Sequence, residues 1–296
     1  MTQDDPWTVG RLLEWTSKYL GERGADSPRL DAEVLLAFAR KCQRIELYTA
    51  FDEIVREDVR ATFRELVRRR ADGTPVAYLV ESREFYALPF RVTPAVLIPR
   101  PETEFLVIRL LDLAKEQRMG QDVPLSIVDV GTGSGILAVC AAYHLPASHV
   151  TAVDIQPDAL EVARHNAAVH QVSQRISFLE SDLLSAVPQH AQFDFVVSNP
   201  PYVSQAEYEA LPAEVKNQEP QTALVAGETG TEVIERLIPQ AAVYLNSGGW
   251  LLLEVSPMIA AKVEAILLAQ PRFEDVSVTK DLANLPRVVA ARKVTT

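Results

Sequence analysis

The chain has 296 residues, 48% of them hydrophobic and 23% charged, and its formal net charge is −11. This composition is typical of a soluble globular protein, and the acidic balance disfavours a broad nucleic-acid-binding surface. The apolar runs are too short to span a bilayer, and the N-terminus MTQDDPW lacks a secretory pattern. The two cysteines suggest neither a disulfide framework nor a thiolate zinc site. We therefore expect a cytoplasmic protein with no membrane partner, no direct nucleic-acid binding and no metal.

Residues 1–80 predict a small helical domain. Apolar side chains recur at helical spacing in residues 9–20, 30–38 and 59–67, and the last of these patterns stops at Gly73. The segment carries no group of polar residues that suggests chemistry. We therefore predict that it recognises a partner.

Residues 81–120 predict a hairpin followed by a linker helix. The sequence REFYALPFRV, residues 83–92, contains two short aromatic and β-branched runs around a turn. The stretch VLIPRPETE, residues 96–104, then leads into an apolar run with helical spacing at residues 105–113.

Residues 121–296 predict an α/β domain in which strands alternate with helices, which indicates a mainly parallel, doubly wound sheet. The predicted strands are Ile127–Val130, Val150–Val153, Ile176–Leu179, Phe193–Val197, Trp250–Val255, Val276–Val278 and Val288–Ala291. The last two leave no room for a helix between them, so we expect them to pair antiparallel. Seven strands with an antiparallel end suit a Rossmann-like methyltransferase sheet better than a standard dinucleotide-binding fold.

A glycine-rich turn follows the first of these strands and opens a helix. It comprises Gly131, Thr132, Gly133, Ser134 and Gly135. Glycines permit a tight turn and the close approach of a ligand to the backbone. A dinucleotide site prefers G-x-G-x-x-G, but here Ile136 stands where the third glycine is wanted, so a cofactor without a pyrophosphate is favoured.

Acidic residues follow the second and third strands. Asp154 ends the second strand, where a carboxylate can accept hydrogen bonds from both hydroxyls of a ribose. Asp182 follows the third strand and could reach an adenine edge, with Leu183 beside the ring. Each feature alone also fits a structural turn or a helix cap. Their order on successive strands predicts a nucleoside cofactor such as S-adenosylmethionine (SAM).

The fourth strand ends in Asn199, Pro200, Pro201 and Tyr202. Prolines have no backbone N–H, so this segment offers carbonyl acceptors and no competing donors. The Asn199 side chain and the Pro200 carbonyl could hold the two hydrogens of a planar NH₂ group, and Tyr202 could pack against it. The sequence predicts a clamp for a primary amide or an exocyclic amine, against the alternative of a merely rigid strand exit.

Motifs along nearly the whole chain resemble the HemK/PrmC family, the protein-(glutamine-N5) methyltransferases of peptide chain release factors. They are SPRLDAEVLLA (27–37), PVAYLVESREFYALPFRVTPAVLIPRPETE (75–104), DVGTGSG (129–135), SNPPYV (198–203) and EPQTALVAGETG (219–230). The NPPY sequence is shared with adenine-N6 DNA methyltransferases, whereas RPETE with the helical front domain is more specific.

The resemblance implies SAM as the methyl donor and the glutamine of a release factor's Gly-Gly-Gln motif as the acceptor. The implied catalytic and glutamine-binding residues are Asn199, Pro200, Pro201 and Tyr202, with Arg100 and Glu102 shaping the pocket. The implied SAM contacts are Gly131, Thr132, Gly133, Ser134, Gly135, Asp154, Leu183 and Asn199, and the position of Asp182 after the third strand adds it to this set. The helical domain would help to recognise the release factor.

Three other functions stay open at this point. One is a glutamine methyltransferase of a ribosomal protein, which shares the clamp but is disfavoured by the RPETE segment. Another is an adenine-N6 nucleic-acid methyltransferase, and the third is a SAM-binding scaffold without activity. The chain departs from the family pattern at Ser256-Pro257-Met258 and at Leu285-Pro286, which concerns substrate recognition rather than the type of reaction.

Overall fold

A computed structural model describes residues 6–118 and 124–295. The chain forms two compact units, Met1–Ser82 and Arg83–Thr296. The predicted domain boundary at residue 120 lies outside the described residues and stays a prediction. Among the described residues, no helix combines the length and the apolar character needed to cross a membrane.

The first unit is helical, as the apolar spacing predicts. Its helices are α1 (Val9–Glu22), α2 (Pro28–Arg40), α3 (Glu46–Thr49), α4 (Glu57–Ala71) and α5 (Val76–Leu79). Gly24 ends the first helix with a φ of +84°, and Pro28 occupies the first turn of the second. The apolar stripes of the longer helices meet in one core, in which Leu13 and Leu35 are fully buried.

The second unit begins with a short hairpin and is built around one large sheet. Its strands are β1 (Arg83–Phe85), β2 (Leu88–Phe90), β3 (Leu125–Val130), β4 (Ser148–Asp154), β5 (Ile176–Glu180), β6 (Phe193–Ser198), β7 (Val203–Ser204), β8 (Val225–Gly227), β9 (Leu245–Glu254), β10 (Phe273–Lys280) and β11 (Pro286–Lys293). Its helices are α6 (Glu104–Arg118), α7 (Ile136–His144), α8 (Pro157–Val169), α9 (Gln205–Glu209), α10 (Ala213–Gln218), α11 (Glu232–Tyr244) and α12 (Ala260–Leu268). Strands β1 and β2 pair antiparallel, so the hairpin predicted at residues 83–92 is present.

The large sheet has seven strands in the order β10-β11-β9-β6-β3-β4-β5. Strands β9, β6, β3, β4 and β5 are parallel, whereas β11 pairs antiparallel with both of its neighbours. Two apolar cores cover the two faces of the sheet, which explains why its central strands read as nearly continuous apolar runs. The predicted Rossmann-like methyltransferase sheet is confirmed.

The parallel strands bring the candidate site together. Because β3, β4, β5, β6 and β9 run in one direction, their carboxyl ends lie along one edge of the sheet. The glycine turn, Asp154, Asp182 and Asn199 each follow or end one of these strands. Glu254 ends β9 at the same edge.

Candidate active site

A cavity of about 340 Å³ lies at this edge of the sheet. That volume is within the range of roughly 300–1,000 Å³ that is usual for small-molecule sites. Predicted site residues on its wall are Arg100, Gly131, Thr132, Gly133, Ser134, Asp154, Asp182, Leu183, Asn199 and Pro201. Four others, Gly135, Pro200, Tyr202 and Glu102, are not part of this wall.

The three glycines of the turn all have a positive φ, but they serve different purposes. Apart from the glycine and its two chain neighbours, no atom of the described residues lies within 4 Å of a Cβ built on Gly131 or Gly133, so these two keep space open at the cavity. A Cβ on Gly135 would lie 3.0 Å from the Cβ of Ala163 in α8. The third glycine therefore permits close packing between α7 and α8, and its part in cofactor binding stays a prediction.

A buried carboxylate holds the glycine-rich turn in place through hydrogen bonds. Asp129 is fully buried, and its Oδ2 accepts hydrogen bonds from the Thr132 hydroxyl at 2.6 Å and from the Ala138 backbone N–H at 3.1 Å. Burial raises the pKa of Asp129 to about 7, although these two donors act in the opposite direction. The sequence argument gave this residue no role, and the tertiary structure makes it a support of the turn.

Asp154 connects the end of β4 with the glycine turn. Its Oδ2 accepts a hydrogen bond from the Gly133 backbone N–H at 2.8 Å, and its Oδ1 accepts one from the Gln156 backbone N–H at 2.9 Å. Burial raises the pKa of the Asp154 carboxyl group, and the backbone donors lower it. Each carboxylate oxygen can accept a further hydrogen bond, so the group keeps the capacity to bind the hydroxyls of a ribose.

Asp182 and Leu183 form part of the cavity rim. The Asp182 carboxylate pairs with the Arg236 guanidinium at 2.5 Å, and both side chains are about half exposed. Leu183 adopts a left-handed backbone conformation with a φ of +52°, which is rare for a residue with a Cβ and is often found at functional sites. Arg236 also lies on the cavity wall, a position that sequence reasoning missed.

Among the described residues, the Asn199 side chain is held through its amide nitrogen and not through its amide oxygen. Its Nδ2 donates a hydrogen bond to the Thr103 hydroxyl at 3.2 Å, and no described residue donates a hydrogen bond to its Oδ1. Pro200 is buried and is not part of the cavity wall, so its role as a carbonyl acceptor stays a prediction. The Tyr202 hydroxyl donates to Glu254 Oε1 at 3.3 Å, so the predicted packing of Tyr202 against a bound amide stays a prediction.

The RPETE segment joins the wall through Arg100 and Thr103. The Arg100 guanidinium pairs at 2.5 Å with Glu219, whose side chain is 2% exposed and also accepts a hydrogen bond from the Ile98 N–H. This pair ties residues 96–104 to the EPQTAL segment. Glu102 lies outside the wall, and its carboxylate is 3.8 Å from the Arg287 guanidinium.

Glu254 is a buried acidic residue at this edge of the sheet to which the sequence argument gave no role. It is 1% exposed, and burial raises its pKa to about 7. One carboxylate oxygen accepts from Tyr202, while Oε2 has no hydrogen-bond partner of ordinary geometry among the described residues. The available signal was a single acidic residue inside the apolar run WLLLEV.

Among the described residues, histidine, cysteine and carboxylate side chains do not cluster in a way that suits a metal. Within residues 6–118 and 124–295, no group of three or more such side chains is placed to hold an ion. Cys42 and Cys140 are both free, and burial raises the pKa of the Cys140 thiol.

Comparison with known proteins identifies the family. Residues 11–80 match the model of the PrmC N-terminal domain, and residues 110–217 match that of the methyltransferase small domain. The chain is 48% identical over 292 residues to a release factor glutamine methyltransferase of Rhodopirellula baltica, with 99% of this chain and 98% of the relative covered. The chain belongs to the release factor glutamine methyltransferase family. The resemblance inferred from its motifs is confirmed.

Other relatives agree with this family. A release factor glutamine methyltransferase of Koribacter versatilis is 42% identical over 288 residues, covering 97% of this chain and 99% of the relative. Among solved structures, the catalytic domain of hMettl16 in complex with an RNA hairpin aligns with a TM-score of 0.56 at 18% identity, covering 77% of this chain and 81% of that one. Because its sequence identity is only 18%, the similarity to hMettl16 supports the methyltransferase fold and no more.

Proposed function

We propose that this protein transfers the methyl group of SAM to the side-chain amide nitrogen (N5) of the glutamine in the Gly-Gly-Gln motif of a peptide chain release factor. One observation carries the proposal: Asn199 donates to Thr103 through Nδ2 and leaves Oδ1 as an acceptor on a residue of the cavity wall. An acceptor at that position suits the NH₂ group of a glutamine.

The residues around the cavity fit SAM. Gly131 and Gly133 leave open space beside the backbone, and Asp154 keeps lone pairs for ribose hydroxyls. Asp182 and Leu183 lie on the rim, where we place the adenine. When bound, SAM supplies an electrophilic methyl group on a sulfonium sulfur.

The clamp addresses the weak nucleophilicity of an amide nitrogen, whose lone pair is delocalised into its carbonyl. We assign Asn199 Oδ1 and the Pro200 carbonyl as the two acceptors for the amide hydrogens. Fixing both hydrogens orients the nitrogen for in-line attack on the methyl carbon. In such a transfer the N–C bond would form as the S–C bond breaks, S-adenosylhomocysteine would leave as the neutral thioether, and the proton lost from the nitrogen would pass to water. Acceptors that strengthen as positive charge develops on nitrogen stabilise the transition state more than the bound substrate.

Substrate identity can be tested by labelled methyl transfer. We expect label in an intact release factor, no label when its Gly-Gly-Gln glutamine is replaced by alanine, and none in DNA. An extruded base requires unstacking energy of a few kcal/mol and phosphate contacts in compensation, whereas this chain has 40 acidic and 29 basic residues. A ribosomal protein is the control substrate for the sister activity. Label in DNA, or in the glutamine-substituted factor, would contradict the proposal.

The helical unit is proposed to recognise the release factor. It exposes an aromatic patch in which Trp15, half exposed, stacks on Tyr19 at 5.1 Å and contacts Trp7 edge-on at 6.4 Å. Aromatic residues of this kind often dominate protein–protein interfaces.

We therefore expect Trp15→Ala to lower kcat/KM for the intact release factor by about tenfold, the size of a moderate interface hot spot. The rate with a short Gly-Gly-Gln peptide should stay unchanged, because a peptide lacks the rest of the factor. Leu268→Ala, another exposed apolar truncation, is the control. An equal loss with both substrates would assign Trp15 a structural role instead.

A further inference from the structure

We propose that Thr103 and Glu254 are positioning residues that fix the orientation of the Asn199 amide, so that Oδ1 rather than Nδ2 meets the NH₂ group of the substrate. This inference rests on the function proposed above. It extends that function because it says what selects between the two possible orientations of the Asn199 amide, which have nearly the same shape. The selecting residues are Thr103 and Glu254, which are both buried.

Thr103 is the immediate partner of Asn199. It is fully buried and lies in a 3₁₀ turn, Pro101–Thr103, where its N–H donates to the Arg100 carbonyl at 3.1 Å. The Thr103 hydroxyl accepts the Asn199 Nδ2 hydrogen bond at 3.2 Å. A hydroxyl has one proton of its own, so while it accepts from Asn199 that proton remains available for a different acceptor.

Glu254 is the acceptor available for that proton. The Thr103 hydroxyl beside Glu254 lowers the pKa of its carboxyl group, and Glu254 Oε2, which is buried without a hydrogen-bond partner of ordinary geometry among the described residues, is the oxygen that we assign to the Thr103 proton. The Tyr202 hydroxyl donates to Oε1 of the same carboxyl group, and Oε2 still has an unused lone pair. An ionised carboxylate can only accept, so it directs the protons of both hydroxyls toward itself.

This direction decides the orientation of the amide. If the Asn199 amide were rotated by half a turn, Oδ1 would face the Thr103 hydroxyl. With its proton directed toward Glu254, that hydroxyl could not donate a hydrogen bond to Oδ1. The Asn199 NH₂ group would then face the NH₂ group of the substrate, donor against donor. The two orientations have nearly the same shape, so hydrogen bonding rather than packing selects between them.

The charge state of Glu254 depends on the groups around it. Burial and the Glu102 carboxylate raise its pKa, whereas the Thr103 and Tyr202 hydroxyls and the Arg287 guanidinium lower it, with a result of about 7. A carboxyl group with this pKa is ionised above pH 7 and becomes protonated as the pH falls through 7. We therefore expect kcat to fall on the acid side of about pH 7, because a protonated Glu254 no longer fixes the direction of the network.

The test compares four variants in methyl transfer to the release factor. Thr103→Val removes the hydroxyl at nearly constant shape, and we expect kcat to fall by about 10- to 100-fold, as for the loss of one orienting contact. SAM affinity by calorimetry should change by less than about twofold, since the change leaves the glycine turn intact. Thr103→Ser, which keeps the hydroxyl, should recover kcat to within about threefold of wild type. Thr16→Val, a buried substitution in the helical unit, controls for the loss of a buried hydroxyl.

Glu254→Gln is the fourth variant and tests the direction of the network. A glutamine amide can donate to Thr103, so kcat should fall and the decline near pH 7 should become smaller, with the remainder assigned to Asp129, whose pKa is also raised to about 7. Wild-type kcat in Thr103→Val, equal loss in Thr103→Val and Thr103→Ser, or an unchanged acid limb in Glu254→Gln would overturn the inference.

A readout independent of turnover separates this inference from the proposed function. The side-chain amide hydrogens of Asn199, assigned by their loss in Asn199→Ala, should exchange with solvent more slowly in wild type than in Thr103→Val. Equal exchange rates overturn the positioning role even if the enzyme is active. A slow wild-type exchange without any transfer to a release factor would support the positioning role and contradict the proposed substrate.

Discussion

Asn199→Ala is expected to fold like the wild-type protein and to lose methyl transfer by about 10²-fold or more, the usual loss for one oriented polar contact in an active site. The truncation removes the Oδ1 acceptor for the substrate NH₂ group. It also leaves the Thr103 hydroxyl, which is fully buried, without the donor that it accepts from. The loss should appear in kcat, because the acceptor gains strength as charge develops on the nitrogen.

The measurement is kcat and KM for the release factor, with SAM affinity determined separately by calorimetry. Asn246→Ala is a matched control, because Asn246 also holds a side-chain hydrogen bond, to Asp194 at 2.8 Å, but lies at the start of β9 rather than at its carboxyl end. A folded Asn199→Ala protein that turns over near the wild-type rate would show that the NPPY segment is not the clamp.

Asp154→Ala is expected to weaken SAM binding by about 2–4 kcal/mol, the size of two lost charge-assisted hydrogen bonds. Two effects combine in this loss. The variant lacks the acceptor for the ribose hydroxyls, and it releases the Gly133 N–H that now donates to the carboxylate at 2.8 Å. Asp154→Asn keeps one oxygen acceptor, so its loss should be smaller.

Calorimetric titration of SAM into each folded variant measures this effect. Asp158→Ala removes an exposed carboxylate four residues further along and should bind SAM like wild type. Unchanged affinity in Asp154→Ala would remove Asp154 from the cofactor site.

The sequence was sufficient for the fold class and for the positions of the strands in the large sheet. Strand runs such as 127–130 and 193–197 are apolar and β-rich because they are buried on both faces of the sheet, which makes them visible without coordinates. The spacing of the last two runs excluded a crossover helix, and β10 and β11 do pair antiparallel. Strand order followed from neither pattern, because pairing such as β6 with β9 depends on contacts between distant segments.

The sequence also placed most of the candidate site. Residues that follow successive parallel strands must meet at one edge, so the glycine turn, Asp154, Asp182 and Asn199 could be grouped from their positions alone. Gly135 and Tyr202 have contacts that this argument did not predict: Gly135 lies against Ala163, and Tyr202 hydrogen bonds to Glu254. The ligand contacts that their motifs suggested stay predictions.

The sequence by itself therefore determined the fold class, the family and the edge at which the chemistry is proposed. The tertiary structure alone decided which side chains pair there. Asn199 with Thr103 and Arg100 with Glu219 are separated by 96 and 119 residues. Local patterns report burial and backbone conformation, whereas a hydrogen bond between distant segments depends on where the whole fold places both partners. The role proposed for Glu254 also depends on distant segments, because the Thr103 and Tyr202 hydroxyls that act on its carboxyl group come from elsewhere in the chain.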